Sequence, residues 1–330
     1  MILAPPLKKG DTIAFFSPSS PITATVPVRF ERGKKYLQDK GFNLIAGSLT
    51  GKKDYYRSGS IAERAEELNS LIRNPKVQCI MSTIGGMNSN SLLPYIDYEH
   101  LKNNPKIIIG YSDVTAILLG IYAQTGLVTY YGPALAASFG ELSPYQDLTF
   151  EYFNDILINM PHLPYVLPTP DFWSDEFIPW DTQDRSKTKM ENKLITLNQG
   201  VAEGRVIGGN LCTISGIWGS PYMPTINKGD ILFIEDTFKD IATVERGFSF
   251  LKVNGVFDKV GGIILGKHEQ FKDSNTGRKP YDVLLEVLGR KAESYPILAE
   301  FDCCHTHPML TLPIGCNVRL DATNQKVSLI

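Results

Sequence analysis

The chain has 330 residues, with 33 Lys and Arg against 35 Asp and Glu, so its formal net charge is −2. Hydrophobic residues make up 43% and charged residues 21%, the composition of an ordinary globular protein of about two domains. A near-neutral chain lacks the basic surface of a dedicated nucleic-acid binder, is too apolar to be disordered, and has no run near the roughly 20 apolar residues of a bilayer span.

Thr12-Ile13-Ala14-Phe15-Phe16 reads as a buried strand, ended by the turn-rich Ser17-Pro18-Ser19-Ser20-Pro21. A helical stretch follows to about Lys40, then a strand at Phe42–Ile45. Ser60 and Glu63 have capping-box spacing, and Ile61, Ala65, Leu68 and Ile72 then share one helical face. Val77–Met81 and Ile107–Ile109 are further strands, Asp113–Gln124 a helix, and Leu127–Tyr130 a strand. Continuous apolar strands alternating with helices predict a parallel sheet covered on both faces. Functional groups in such sheets gather at the carboxyl ends of strands.

From about Pro161 to Lys193, five prolines interrupt regular structure around Trp173 and Trp180. The expected division is a domain over 1–165, a linker and substrate loop over 166–193, and a second domain over 194–330. In the second half, Ile231–Ile234 and Gly262–Leu265 read as strands, and Ile241–Val253 and Tyr281–Leu288 as helices. A terminal hairpin is expected around Asp321-Ala322-Thr323-Asn324. The N-terminus lacks a charged segment followed by an apolar one, so no signal peptide is expected and the cytoplasm is the expected compartment. The five cysteines are odd in number and form no C-x-x-C pair, which argues against a disulfide framework.

Four segments could carry chemistry. Gly110-Tyr111-Ser112-Asp113 follows a three-isoleucine strand and opens a helix. It suits either a nucleophile elbow exposing Ser112 or a simple helix cap by Ser112 or Asp113. Gly85-Gly86 follows a strand and is either a plain turn or a source of backbone amides for an anion. Glu235-Asp236 closes the strand Ile231–Ile234, a solvated loop start or the place of an acid that orients a histidine. Cys303-Cys304-His305-Thr306-His307 gathers two thiols and two imidazoles. Its spacing lacks the remaining ligands of a zinc motif, so a metal-dependent hydrolase stands beside a histidine acting as general base. The other histidines, His100, His162 and His268, lack comparable surroundings.

Taken in order, Gly-Gly, Gly-Tyr-Ser-Asp, Phe-Ile-Glu-Asp and His-Thr-x-Pro-Met-Leu-Thr-Leu-Pro-Ile-Gly resemble the LD-carboxypeptidase family of serine peptidases. The likeness runs from Gly10-Asp11-Thr12 to Gly315 and includes Ser89–Asp97 and Gly208-Gly209-Asn210-Leu211. It is closest to the microcin C immunity branch, through the Trp180-bearing insert and the His-Thr-x-Pro-Met form. Cys304 stands where a glycine is expected, and Met87-Asn88 where acidic residues are common in that branch.

The resemblance implies an α/β fold with a flavodoxin-like parallel-sheet domain, like that of class I glutamine amidotransferases, and a smaller mixed α/β C-terminal domain. It implies Ser112 as nucleophile, Glu235 as orienting acid and His305, rather than His307, as base. The amides of Met87 and Asp113, with Gly86 allowing close approach, would form the oxyanion hole. Trp180 would stack on a nucleobase or anchor its loop, Lys239 would meet a phosphate, and Asn210 would hydrogen-bond substrate. The implied activity is cleavage of the amide in processed microcin C-like aspartyl or glutamyl nucleotides. The alternative is murein tetrapeptide LD-cleavage. No metal or cofactor, no nucleic-acid or membrane partner, a small-molecule substrate and a homodimer are expected.

Overall fold

The protein is described by a computed structural model covering residues 1–330. In the first half, strands β1 (Thr12–Phe16), β2 (Asn43–Ala46), β3 (Cys79–Ser82), β4 (Ile107–Gly110) and β5 (Thr129–Tyr131) are joined through helices. The long connection holds β6 (Tyr165–Val166), β7 (Phe172–Trp173) and β8 (Met190–Glu191). The second half adds β9 (Ile195–Asn198), β10 (Val201–Asn210), β11 (Ile231–Glu235), β12 (Gly262–Gly266), β13 (Ile297–Phe301), β14 (Leu312–Ile314), β15 (Asn317–Asp321) and β16 (Lys326–Leu329).

The first sheet has the order β14-β5-β4-β3-β1-β2. β1 to β5 are parallel in the flavodoxin-like order 2-1-3-4-5, and β14 joins antiparallel to β5. The apolar strands β1, β3, β4 and β5 are buried almost throughout, as a sheet covered on both faces requires. The helix Ile61–Arg73 starts at the expected capping box: Ser60 Oγ accepts the Glu63 amide at 3.2 Å, and Glu63 Oε2 accepts the Ser60 amide at 2.8 Å. The helix expected from Asp113 begins at Thr115, after a 3₁₀ turn over Ser112–Val114.

The second sheet has the order β6-β16-β15-β10-β11-β12-β13-β9, with β10 to β13 parallel. Its terminal hairpin, β15 and β16, lies around Asp321–Asn324 as the sequence predicts. β10 was not anticipated. Its first half pairs antiparallel with β15 and its second half parallel with β11, although it contains Gly204, Gly208 and Gly209. A methyl on Gly209 would lie 2.6 Å from Thr115 Cγ2 and 3.2 Å from the Tyr131 ring, so this glycine lets the end of β10 close on the first sheet. β13 and β14 were also missed.

The halves are knit at several points. One continuous apolar core runs through both. β14 returns from the second half to the first sheet, pairing Leu312 with Tyr131 and Ile314 with Thr129. The Asn210 amide donates to Thr115 Oγ1 at 3.0 Å across the junction. No helix is long and apolar enough to cross a membrane.

Candidate active site

The carboxyl ends of β4 and β11 face one another at this junction, and the loop after β13 lies over them. Ser112 takes φ +63, a left-handed conformation that a serine adopts only when its surroundings impose it. Its hydroxyl caps nothing, and neither does Asp113 cap the following helix. Asp113 Oδ2 instead accepts the amides of Asn88 and Ser89 at 3.0 and 2.9 Å, holding the glycine loop beside the serine. Between cap and elbow, the geometry is that of the elbow.

Glu235 ends β11 and is fully buried. Its Oε2 meets His305 Nδ1 at 2.6 Å. Its Oε1 accepts from the Tyr131 hydroxyl at 2.6 Å and from Asn210 Nδ2 at 3.1 Å. Burial pushes the Glu235 carboxyl up, but the histidine charge and these donors more than offset it, so its pKa lies below the ordinary value. Burial likewise pulls His305 down, and Glu235 outweighs it, leaving the imidazole pKa raised. The Tyr111 ring packs edge-on against His305 at 4.8 Å. His305 Nε2 is buried with no partner, and His305 and Ser112 line the same cavity.

The glycine loop is packed tightly on the serine. A methyl on Gly85 would come within 2.9 Å of Ser112 Cβ, 3.0 Å of the Asp113 nitrogen and 3.1 Å of Ser112 Oγ. Gly86, at φ +149, rests on Ser19 and Ser20. This turns the Met87 amide back toward the loop after β1, where it donates to Ser19 Oγ at 3.0 Å. Met87 therefore has no free amide for an oxyanion, contrary to the sequence expectation. The Gly86 amide donates to no group of the chain.

Trp180, Lys239 and Asn210 fall in different places. Trp180 lines the cavity that holds His305, and Arg29 lies against its ring at 4.3 Å from the centroid. Arg29 is fully buried, paired with Glu141 at 2.8 Å and bonded to the carbonyls of Ala136 and Ala137. The same carboxylate faces Lys187 at 3.6 Å and His307 at 3.8 Å. Lys239 lines an adjoining recess with Asn210 and Asp236, and Ser112 borders both spaces. Asn210 is buried, and both ends of its amide are engaged: Nδ2 donates to Glu235 and Asp236, and Oδ1 accepts the Thr213 amide. It braces the carboxylates and has no end left for a ligand in this conformation.

The Cys303–His307 segment does not converge as a metal centre. Cys303 Sγ donates to the carbonyls of Tyr131 and Leu310, and Cys304 Sγ pairs with Thr306 Oγ1 at 3.1 Å. Burial pushes the Cys304 thiol up to about 12 and the Cys303 thiol well above its ordinary value, so neither is poised as a thiolate ligand. No group of three or more His, Cys, Asp or Glu side chains is arranged to hold a metal ion. Sequence reasoning missed Tyr131, which lies one residue beyond the strand it predicted. It also missed Glu269, which lines the serine–histidine cavity and accepts from Thr237 Oγ1 at 2.6 Å.

Two α/β halves meeting at their strand ends, with a strained serine turn facing a carboxylate-backed histidine, fit one class of hydrolase. The chain belongs to the LD-carboxypeptidase family of serine-type carboxypeptidases: residues 13–132 match its N-terminal domain and residues 203–320 its C-terminal domain. It is 58% identical over 329 residues to a putative carboxypeptidase of Vibrio cholerae, spanning 100% of this chain and 98% of the relative. It is 57% identical over 330 residues to the microcin C7 self-immunity protein MccF of Escherichia coli, spanning 99% and 95%. The solved wild-type MccF without ligand matches the fold with a TM-score of 0.97 at 57% identity, over 100% of this chain and 98% of that one. MccF has also been solved with aspartyl sulfamoyl adenosine and with glutamyl sulfamoyl guanosine. Further MccF structures are an active-site mutant with a serine, an asparagine and a lysine changed to alanine, and a tryptophan-to-phenylalanine mutant bound to adenosine monophosphate.

Proposed function

We propose that this protein hydrolyses the amide between an acidic aminoacyl group and a nucleotide, inactivating processed microcin C-like compounds in the cytoplasm. The observation that carries this reading is that Ser112 and His305 come from the two halves onto one cavity, with buried Glu235 bonded to the histidine behind it. The two aminoacyl sulfamoyl nucleotides bound by MccF supply the substrate class.

His305 Nε2 takes the proton of Ser112 Oγ as that oxygen attacks the aminoacyl carbonyl carbon. The serine hydroxyl is too weak an acid to ionise unaided. Glu235 fixes the tautomer with the proton on Nδ1 and stabilises the imidazolium. The amides of Gly86 and Asp113 stabilise the oxyanion, each such donor being worth about 3–4 kcal/mol of barrier. The carbon–nitrogen bond then breaks, His305 passes its proton to the leaving nitrogen, and the nucleotide departs. Water, deprotonated by His305, hydrolyses the acyl-serine and restores the enzyme.

Trp180 supplies a stacking face for the base, and Lys239 a cation for an anionic group of the ligand. The division into residues 1–165, 166–193 and 194–330 places the catalytic cavity at the domain boundary, and the working unit is a homodimer. Size-exclusion chromatography with light scattering tests that last point. Hydrolysis of aspartyl and glutamyl sulfamoyl adenosine, compared with an LD-tetrapeptide, tests the rest. Nucleotide turnover that disappears in Ser112→Ala is expected. Preferential tetrapeptide cleavage would instead make the protein a murein peptidase, and full activity in Ser112→Ala would remove the serine mechanism.

A further inference from the structure

We propose that Tyr131 is a positioning residue that ties the backbone of the serine turn to the acid behind the histidine. The assignment rests on the reading of Ser112, His305 and Glu235 given above. The Tyr131 hydroxyl accepts the Ser112 N–H at 3.1 Å and donates its own hydrogen to Glu235 Oε1 at 2.6 Å. The other carboxylate oxygen meets His305 Nδ1 at 2.6 Å. Serine amide, tyrosine, glutamate and histidine thus form one hydrogen-bonded chain. Its two ends carry Ser112 Oγ and His305 Nε2, the atoms between which the proton must pass.

The direction of each bond is fixed. An amide only donates and a carboxylate only accepts, so the single phenolic hydrogen has one place to go. Burial and the Glu235 charge push the phenol well above its ordinary pKa, so the hydrogen stays on the oxygen. Ser112 is held at φ +63, and such strain persists only where neighbours over-determine it. The bond from its amide to a buried hydroxyl is one of those determinants.

The ring itself has little freedom. It is fully buried, with Phe233 edge-on at 5.2 Å on one side and Gly209 at the end of β10 on another. Along the backbone, Tyr131 pairs with Gly110, the last residue of β4, and with Leu312, in the strand that follows the histidine loop. It therefore touches both approaches to the reacting atoms without reaching them.

The test uses full-length Tyr131→Phe with aspartyl sulfamoyl adenosine as substrate, and Phe233→Leu as a packing control that keeps the hydroxyl. In Tyr131→Phe, kcat is expected to fall about 10- to 100-fold, as for a small misplacement of reacting groups, while KM changes less than about twofold. With one donor fewer on Glu235, more carboxylate charge faces His305. The acid limb of kcat/KM is then expected to move to higher pH. Phe233→Leu is expected to lose thermal stability and leave that limb in place. Wild-type kcat and an unmoved acid limb in Tyr131→Phe would overturn the proposal. So would equal losses in both variants with neither limb displaced, or a Tyr131→Phe protein that does not fold, since the hydroxyl would then serve the fold. Full activity in Ser112→Ala would strike the underlying mechanism instead, whatever Tyr131→Phe does.

Discussion

Glu235 and His305 stand 70 residues apart in the chain, yet the carboxylate holds the imidazole at 2.6 Å in the buried junction between two sheets. The glutamate ends a strand and the histidine sits on a loop. Their pairing depends on the second half folding around β11 and β13.

The pH dependence of catalysis follows from that pairing. Glu235 raises the His305 pKa above the ordinary 6.5 against the pull of burial. Activity needs the neutral imidazole, so kcat/KM rises with pH through that raised value. In Glu235→Gln the charge is gone and burial dominates, so the acid limb moves to lower pH. The rate on the plateau falls by about 10³- to 10⁴-fold, as when the orienting acid of such a triad is neutralised. A pH–rate profile of the two proteins checks both shifts.

Glu141 governs stability in acid. Burial alone would raise its pKa, but His307 once protonated, Arg29 and Lys187 hold it down at about 2 against the usual 4.5. A carboxyl with a depressed folded-state pKa stabilises fully above its unfolded value and loses that contribution as pH falls through the folded one. That contribution, from Arg29 and Lys187, is present above about pH 4.5 and is lost as pH falls toward 2. Glu141→Gln is expected to remove this acid-side slope and to lower stability at pH 7 by about 3 kcal/mol, because Arg29 stays buried without its partner. Urea unfolding from pH 7 down to 2 measures both.

Arg29 gives Trp180 its position. With the guanidinium 4.3 Å from the ring centroid and bonded to two main-chain carbonyls, the indole is held against the first domain. Trp180→Ala is expected to raise KM for aspartyl sulfamoyl adenosine about 10- to 100-fold with a smaller change in kcat, in line with the about 1–3 kcal/mol of a base–aromatic stack. Steady-state kinetics against an aspartyl substrate lacking the base separates stacking from loop anchoring: stacking predicts no change there.

Gly85→Ala places a methyl within about van der Waals overlap of Ser112 Oγ and the Asp113 nitrogen, at 3.1 and 3.0 Å. The loop has no flexible group to yield, so the serine turn must shift. Hydrolysis is expected to fall at least about 100-fold while thermal melting stays within a few degrees of wild type.

The first sheet was readable because its strands are uninterrupted apolar runs and one of its helices begins with a full capping box. β10 was not, because its three glycines carry none of the side-chain signal of a strand; Gly209 is there for close approach to the first half, while Gly204 and Gly208 lie against the backbone of Gly229 and Phe233. β14 contains Pro313, which is tolerated at the sheet edge but reads as a breaker in sequence. Ser112, Glu235 and His305 could be singled out because they end a strand or lie in the loop after one, within a motif of fixed order, and the fold brings the three together. Tyr131 carried no such motif, since a tyrosine at the end of a buried strand resembles any core aromatic. Met87 failed as an oxyanion donor for a reason no linear motif holds: Ser19, 68 residues away, occupies its amide.

The loop carrying His305 leaves from β13 in one sheet and lands on β14 in the other. Along the way, His307 and Ser174 exchange two main-chain hydrogen bonds, at 2.8 and 3.0 Å, and the Met309 amide donates to Thr149 Oγ1 at 3.0 Å. The base is thus carried on a bridge whose abutments are separate sheets. A change in how the two sheets are set would move the imidazole relative to Ser112, and it would have to shear the single core that runs through both halves. The catalytic distance is in that sense a gauge of how the two sheets are set.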